Sequence, residues 1–159
     1  MNKKIRWGIL GTGNIARQFA ADLTAVPEAQ LLAVGSRAAD TAQNFADSFN
    51  VPRPYPSYEQ LINDPEIDVV YIATPNMLHM ENTIACIKAG KAVLCEKPFA
   101  MNARQAKKMI DAARKEKRFL MEAMWTRFLP LIVQVRDWLK QGSIGQLRMF
   151  RANFGFKAK

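Results

Sequence analysis

The sequence predicts an α/β protein built on a doubly wound parallel sheet, with the start of a second α/β domain at its carboxyl end. Three observations predict it. Apolar runs of strand length alternate with segments of helical periodicity through most of the chain. The first run leads directly into a glycine turn, Gly11-Thr12-Gly13-Asn14-Ile15-Ala16, that opens the first helix. Small or chemically active residues then recur where the apolar runs end, and in a parallel sheet those ends lie along one edge.

Ile5 to Leu10 reads as a short apolar strand. Ile15, Ala16, Phe19, Ala20 and Leu23 recur at helical spacing, and Pro27 ends that helix. Gln30 to Gly35 is continuously apolar after its first residue, as a strand buried on both faces requires. Strand, helix and strand in about thirty residues make one βαβ unit. Ala39 to Phe49 reads as the second helix, and the proline-spaced stretch from Val51 to Pro56 as a loop around a short strand. Ser57 caps a short helix toward Leu61.

Asp68 to Ala73 is a further buried strand, and Met77 to Ala89 a helix stopped by Gly90. Ala92 to Cys95 is the next strand. Asn102 caps a helix whose apolar face is Ala103, Ala106, Met109, Ile110 and Ala113. Phe119 to Glu122 is the last strand of this series. Leu131, Ile132, Val135, Trp138 and Leu139 then form one face of a helix that ends before Gly142. From Leu147 the period changes to two, with Phe150, Ala152, Phe154 and Phe156 on one face of an expected strand. The expected division is therefore a dinucleotide-binding domain over 1–124 and, over 125–159, a linking helix and first strand of a truncated substrate and dimerisation domain.

The totals are those of a globular chain of 159 residues, 49% hydrophobic and 23% charged. No apolar run approaches the length of a membrane span, and the basic start has no cleavage site behind it, so a cytoplasmic protein with no membrane partner is expected. Cys86 and Cys95 sit in apolar settings and read as buried free thiols. Charge is uneven: residues 96–159 carry 15 basic and 5 acidic side chains. Lys107, Lys108, Arg114, Lys115, Lys117 and Arg118 read mostly as the solvated side of one amphipathic helix. No nucleic-acid-binding motif accompanies them, so no nucleic-acid partner is expected. No metal-ligand spacing appears either.

The glycine turn points to a dinucleotide. Gly11 permits the tight turn, Gly13 lets backbone approach a pyrophosphate, and Ala16 keeps the helix close to the sheet. Thr12, Asn14 and Ile15 complete the turn, and the helix amino terminus offers N–H groups to phosphate. The end of the second strand chooses the cofactor. An acid there binds a ribose 2′-hydroxyl, whereas an arginine accommodates a 2′-phosphate. This sequence has Ser36-Arg37 and no acid before Asp40, which favours NADP over NAD. The competing reading leaves Arg37 on the surface and turns Asp40 back to the ribose.

Thr74-Pro75-Asn76 follows the strand at 68–73, with His79 close behind, and Glu96-Lys97-Pro98 follows Cys95. Lys97 is the best candidate for proton chemistry, because lysines partly desolvated beside positive charge exchange protons readily. A solvated turn lysine is the bland alternative. His79 either hydrogen-bonds a ligand beside Asn76 or simply occupies a helix's first turn. Trp125 suits stacking on a ring and Arg127 suits a phosphate, with packing and a surface ion pair as the alternatives.

Taken together, Gly11-Thr12-Gly13-Asn14-Ile15-Ala16, Ala73-Thr74-Pro75-Asn76 with His79 and Asn82, and Cys95-Glu96-Lys97-Pro98 resemble the Gfo/Idh/MocA oxidoreductases. Within that family Phe119 to Pro130 is similar to the branch of dihydrodiol and NADP-dependent D-xylose dehydrogenases. The resemblance implies a Rossmann domain followed by an α/β domain with a large open sheet. It implies hydride transfer between nicotinamide and a carbon bearing a hydroxyl or carbonyl, on a sugar, cyclic polyol or dihydrodiol. It assigns Lys97 to the catalytic lysine that lies against nicotinamide and substrate. With the residue readings above, the residues expected to bind the cofactor are Gly11, Thr12, Gly13, Asn14, Ile15, Ser36, Arg37, Thr74, Pro75, Asn76, His79, Glu96, Lys97, Trp125 and Arg127. It also implies a homodimer through the second domain's sheet. A non-catalytic module that holds NADP(H) and regulates or scaffolds a partner is the alternative function.

Overall fold

The computed structural model describes residues 4–155. The chain divides into two compact units, the first ending at Ala123 and the second beginning at Met124.

The first unit is a six-stranded sheet, with β1 Ile5–Leu10, β2 Ala29–Gly35, β3 Arg53–Tyr55, β4 Val69–Ile72, β5 Ala92–Cys95 and β6 Leu120–Glu122. The order is β3-β2-β1-β4-β5-β6, and every pairing is parallel. All strand carboxyl ends therefore share one edge. Between the strands run α1 Asn14–Leu23, α2 Ala39–Phe49, α3 Tyr58–Ile62, α4 His79–Lys88 and α5 Ala103–Lys115.

Successive strand residues point to opposite faces, so each face has its own core. Ile9, Val34 and Tyr71 pack with Ala16 and Ala20 of α1 and with Phe45 and Ala46 of α2. Leu10, Ala33, Val70, Ile72, Val93 and Cys95 pack with α3, α4 and α5 through Leu61, Ile87 and Met109. This is the doubly wound arrangement the alternating pattern predicts. Both cysteines are buried and free, and burial pushes each thiol up to about 12, so both stay protonated and inert.

Buried Asp64, just past α3, ties elements together near the opposite edge. It accepts from the Arg53 guanidinium at 2.9 and 3.1 Å, the Tyr55 hydroxyl at 3.0 Å and the Glu66 N–H at 2.9 Å. Lys91 Nζ donates to the backbone carbonyls of Asp64 and Ile67 at 2.5 and 3.0 Å.

Several expectations change. The helix expected over 77–89 begins as a 3-10 turn, Asn76–Leu78, closed by the Leu78 N–H on the Pro75 carbonyl at 2.8 Å. Lys117 and Arg118 fall beyond α5. The helix closes with Lys117 at φ 53 and the Arg118 N–H on the Ala113 carbonyl, a Schellman ending that turns the chain out.

The second unit contains a 3-10 turn, Trp125–Phe128, and α6 Pro130–Lys140, whose first position is the proline. The strand expected from Leu147 does not form within the described residues: 147–155 have no regular structure, and Phe156 lies outside them. A period-two pattern specifies which side chains share a face, but a strand forms only where a neighbouring strand completes its ladder. Among the described residues, no helix is long and apolar enough to cross a membrane.

Candidate active site

The carboxyl ends of β1, β2 and β4 enclose a cleft of about 390 Å³ lined by Gly11, Thr12, Gly13, Ser36, Arg37, Tyr58, Ala73, Thr74 and Pro75. Three of the sequence-predicted clusters thus meet in one place. Glu96 and Lys97 follow at the end of β5, next to β4 in the sheet.

The glycine turn explains the cleft's floor. Gly11 has φ +102, and a Cβ there would stand 2.6 Å from the Ala73 carbonyl oxygen, so only glycine fits. Gly13 differs. Its φ is −72, and a Cβ would meet nothing within 4 Å. The space above Gly13 is open, and α1 has no side-chain cap and no acid in its first turn. By contrast Ser57 and Asn102 cap α3 and α5 by accepting from Gln60 N–H and Gln105 N–H. The first turn of α1, with Asn14 and the exposed Ile15, therefore keeps its N–H groups available for an anion, and the residues present fit a pyrophosphate.

At the end of β2, Arg37 is exposed and Ser36 is buried. The Ser36 hydroxyl lies 2.5 Å from that of Thr41, and Thr41 donates to the Ala38 carbonyl at 3.0 Å. The shared proton is therefore Ser36's own, which leaves Ser36 as an acceptor rather than the phosphate donor that the sequence suggests. Asp40 turns inward on its own helix, accepting from the Thr41 N–H at 2.8 Å. The arrangement favours Arg37 as the cleft's charged group at this end.

His79 is fully buried, and its Nδ1 and Nε2 lie 2.9 and 3.0 Å from the carbonyl oxygens of Pro98 and Thr74. His79 is the first residue of α4, so it stands in that helix's first turn, but with its ring turned into the interior. Each ring nitrogen stands at hydrogen-bond distance from a backbone carbonyl, and the one that carries the ring proton donates, so the ring fills the space between the Thr74 turn and the Lys97-Pro98 segment, whose peptide is cis. Asn82 donates to the Thr74 hydroxyl at 3.1 Å and fixes the same turn from α4. Pro75 and Asn76 are exposed at its tip.

Glu96 is held from both sides. Its Oε1 accepts from the Tyr71 hydroxyl at 2.6 Å and its Oε2 from the Lys97 N–H at 3.0 Å. Burial first, then the Glu96 hydrogen bond, push the Tyr71 phenol far above its usual range, so it remains a donor at any ordinary pH. The Lys97 side chain is exposed, and its ammonium has no protein partner among the described residues. A fixed backbone with an unengaged amine suits a group that must meet a ligand.

Trp125 and Arg127 belong to the second unit, where both are exposed on the 3-10 turn. Sequence reading missed Tyr58 and Tyr71. Tyr58 has a local signal, as the residue after a helix cap, whereas the partner of Tyr71 lies 25 residues away.

A six-stranded parallel sheet in this order, with a glycine turn at the central strand and an open helix terminus above it, defines a dinucleotide-binding domain. Residues 5–124 match the Gfo/Idh/MocA model, described as an oxidoreductase family with an NAD-binding Rossmann fold, and the chain belongs to that family. It is 47% identical over 154 residues to trans-1,2-dihydrobenzene-1,2-diol dehydrogenase of Mus musculus, covering 96% of this chain and 46% of that protein. The chain thus spans about half the length of the curated relatives it matches. Among solved structures, the 3-ketoreductase KijD10 of Actinomadura kijaniata with NADP is 34% identical with a TM-score of 0.82, covering 91% of this chain and 46% of that one. An NAD-binding oxidoreductase of Klebsiella pneumoniae is 31% identical with a TM-score of 0.81, over 89% and 40% of the respective chains.

Proposed function

We propose that this chain is the cofactor-binding part of an NADP-dependent dehydrogenase acting on a carbon that bears a hydroxyl or carbonyl, in a dihydrodiol, cyclic polyol or sugar. The observation that carries the reading is Lys97. Its backbone is tied to Glu96 at 3.0 Å, its amine is unengaged, and its strand end neighbours the glycine-lined cleft. The similarity to dihydrodiol dehydrogenases, and to a ketoreductase solved with NADP, supports the substrate and cofactor classes.

Gly11, Thr12, Gly13, Asn14 and Ile15 would hold the pyrophosphate, and Arg37, beside Ser36, the adenosine ribose end. Thr74, Pro75, Asn76, Glu96 and Lys97 would flank the nicotinamide end, with His79 setting the turn from behind. Trp125 and Arg127 are the remaining residues proposed for the cofactor. A bound nicotinamide supplies the hydride acceptor or donor. Lys97 takes the proton from the reacting hydroxyl in oxidation and returns it to the oxygen in reduction. The second unit would begin a substrate domain, with a homodimer formed through that domain. Its exposed Leu131, Trp138, Met149 and Phe150 supply apolar surface for such a contact. Two buried free thiols suit a reducing, cytoplasmic setting.

The test is Lys97→Met in the full-length protein, assayed with NADP on dihydrodiols, polyols and sugars, alongside cofactor titration. Turnover should fall at least about 100-fold, within the usual range for a general acid–base group, with cofactor affinity retained. An unmodified protein that binds NADPH but oxidises nothing in the panel would instead favour a non-catalytic module.

A further inference from the structure

Tyr58 lines the same cleft as Arg37, from the first position of α3. Its ring is partly buried against the core around Leu61 and Ile62 and is therefore held in place. No described group hydrogen-bonds its hydroxyl. The neighbouring tyrosine on β3 is spent differently, since the Tyr55 hydroxyl donates to Asp64. Burial raises the Tyr58 phenol, and the Arg37 cation acts in the opposite sense, so the two groups share one local field.

The chemistry at this end of the cleft is then specific. The Ser36 hydroxyl is committed as a donor to Thr41, and Asp40 accepts from the Thr41 N–H on its own helix. What remains is a guanidinium and an uncommitted phenol O–H. That pair suits a phosphate monoester, which is a charged acceptor with several oxygens, better than a ribose hydroxyl.

We propose that Tyr58 is a specificity-determining residue, joining Arg37 to form the subsite for the 2′-phosphate of the adenosine ribose. Arg37 supplies the charge and Tyr58 the neutral donor. This rests on the NADP reading above, and it adds a residue from α3 that the end of β2 does not reveal.

The experiment titrates the protein with NADPH and NADH in parallel, as wild type, Tyr58→Phe, Arg37→Met and the double variant. Tyr58→Phe keeps the ring and removes only the hydroxyl, and a thermal melt checks that the fold is unchanged. The wild type should prefer NADPH by tenfold or more. Tyr58→Phe should weaken NADPH binding about tenfold, as expected for a hydrogen bond to a charged group, and leave NADH binding within about twofold. With Arg37 already replaced, the same change should cost less, because the two groups share a ligand. If the wild type prefers NADPH and Tyr58→Phe leaves that preference intact, the Tyr58 assignment fails alone. Equal weakening of both cofactors overturns it as well, by assigning the hydroxyl to something common to them. No NADPH preference in the wild type, or no binding of either cofactor, rejects the NADP reading and the Tyr58 assignment with it.

Discussion

Tyr71 and Glu96, 25 residues apart, share a buried 2.6 Å hydrogen bond, and the other oxygen of Glu96 accepts from the Lys97 N–H at 3.0 Å. Phe19 of α1 stacks on the Tyr71 ring at 3.8 Å. The helix that starts at the glycine turn is thereby coupled through one tyrosine and one carboxylate to the backbone of the candidate catalytic lysine. Tyr71→Phe keeps the stack and removes the donor. It should cost about 1–3 kcal/mol, the penalty for leaving a buried charged acceptor short of a partner, read by urea denaturation. Turnover should fall while NADPH affinity holds, because the lost bond supports Lys97 rather than the glycine cleft.

The two glycines of the turn should separate stability from binding. Gly11→Ala places a Cβ 2.6 Å from a backbone oxygen at φ +102. The handedness alone costs about 1–2 kcal/mol, and the clash adds to it, so the melting temperature should drop clearly. Gly13→Ala meets nothing within 4 Å and, as a change at a helix N-cap, should cost no more than about 1 kcal/mol, less than Gly11→Ala. Its methyl group nevertheless fills the space left for the pyrophosphate, so NADPH affinity should fall at least tenfold, about 1.4 kcal/mol.

His79→Ala should destabilise the domain by about 3 kcal/mol or more. It removes the ring's hydrogen bond to a backbone carbonyl and leaves a cavity where a fully buried ring stood. Calorimetric unfolding measures this. A ligand-only role for His79 predicts instead an unchanged melt and weakened cofactor binding.

Acid should weaken the fold in part through Asp64. Burial by itself would raise its carboxyl, but hydrogen bonds from the Glu66 N–H, Arg53 and Tyr55 outweigh burial and hold it below 3.8. A carboxylate depressed in the folded state stabilises fully above its unfolded value, and that stability is lost as pH falls through the folded value. Wild-type stability should therefore decline below about pH 4, near the unfolded carboxyl value. Asp64→Asn should be less stable at pH 7 and show a shallower decline in acid, as followed by urea midpoints across pH.

Most of the first unit was legible because its signals are local. Gly11 and Gly13, the apolar runs of β1, β2, β4 and β5, and the caps Ser57 and Asn102 each act within a few residues. The strand expected from Leu147 is not formed among the described residues for the complementary reason: alternation specifies a face, and pairing needs another strand. The site divides in the same way. Gly11-x-Gly13, Ser36-Arg37 and Glu96-Lys97 were visible as motifs, but what their side chains do was not. Ser36 proved to donate to Thr41, and His79 to brace two backbone segments.

By itself, the sequence determined the order of strands and helices, the glycine turn at the end of β1 and the placing of reactive residues at strand ends. These follow from periodicity and backbone sterics, which a residue expresses among its near neighbours. Only the tertiary structure decided that Tyr71 would hold Glu96 and that His79 would turn inward from the cleft. It also decided that Tyr58 would face the same cleft as Arg37. Each of these brings together residues 19 or more apart, or reaches a group 5 residues away across a turn, when the parallel sheet sets strand ends side by side. No local pattern encodes which hydroxyl, carboxylate or carbonyl will be waiting there.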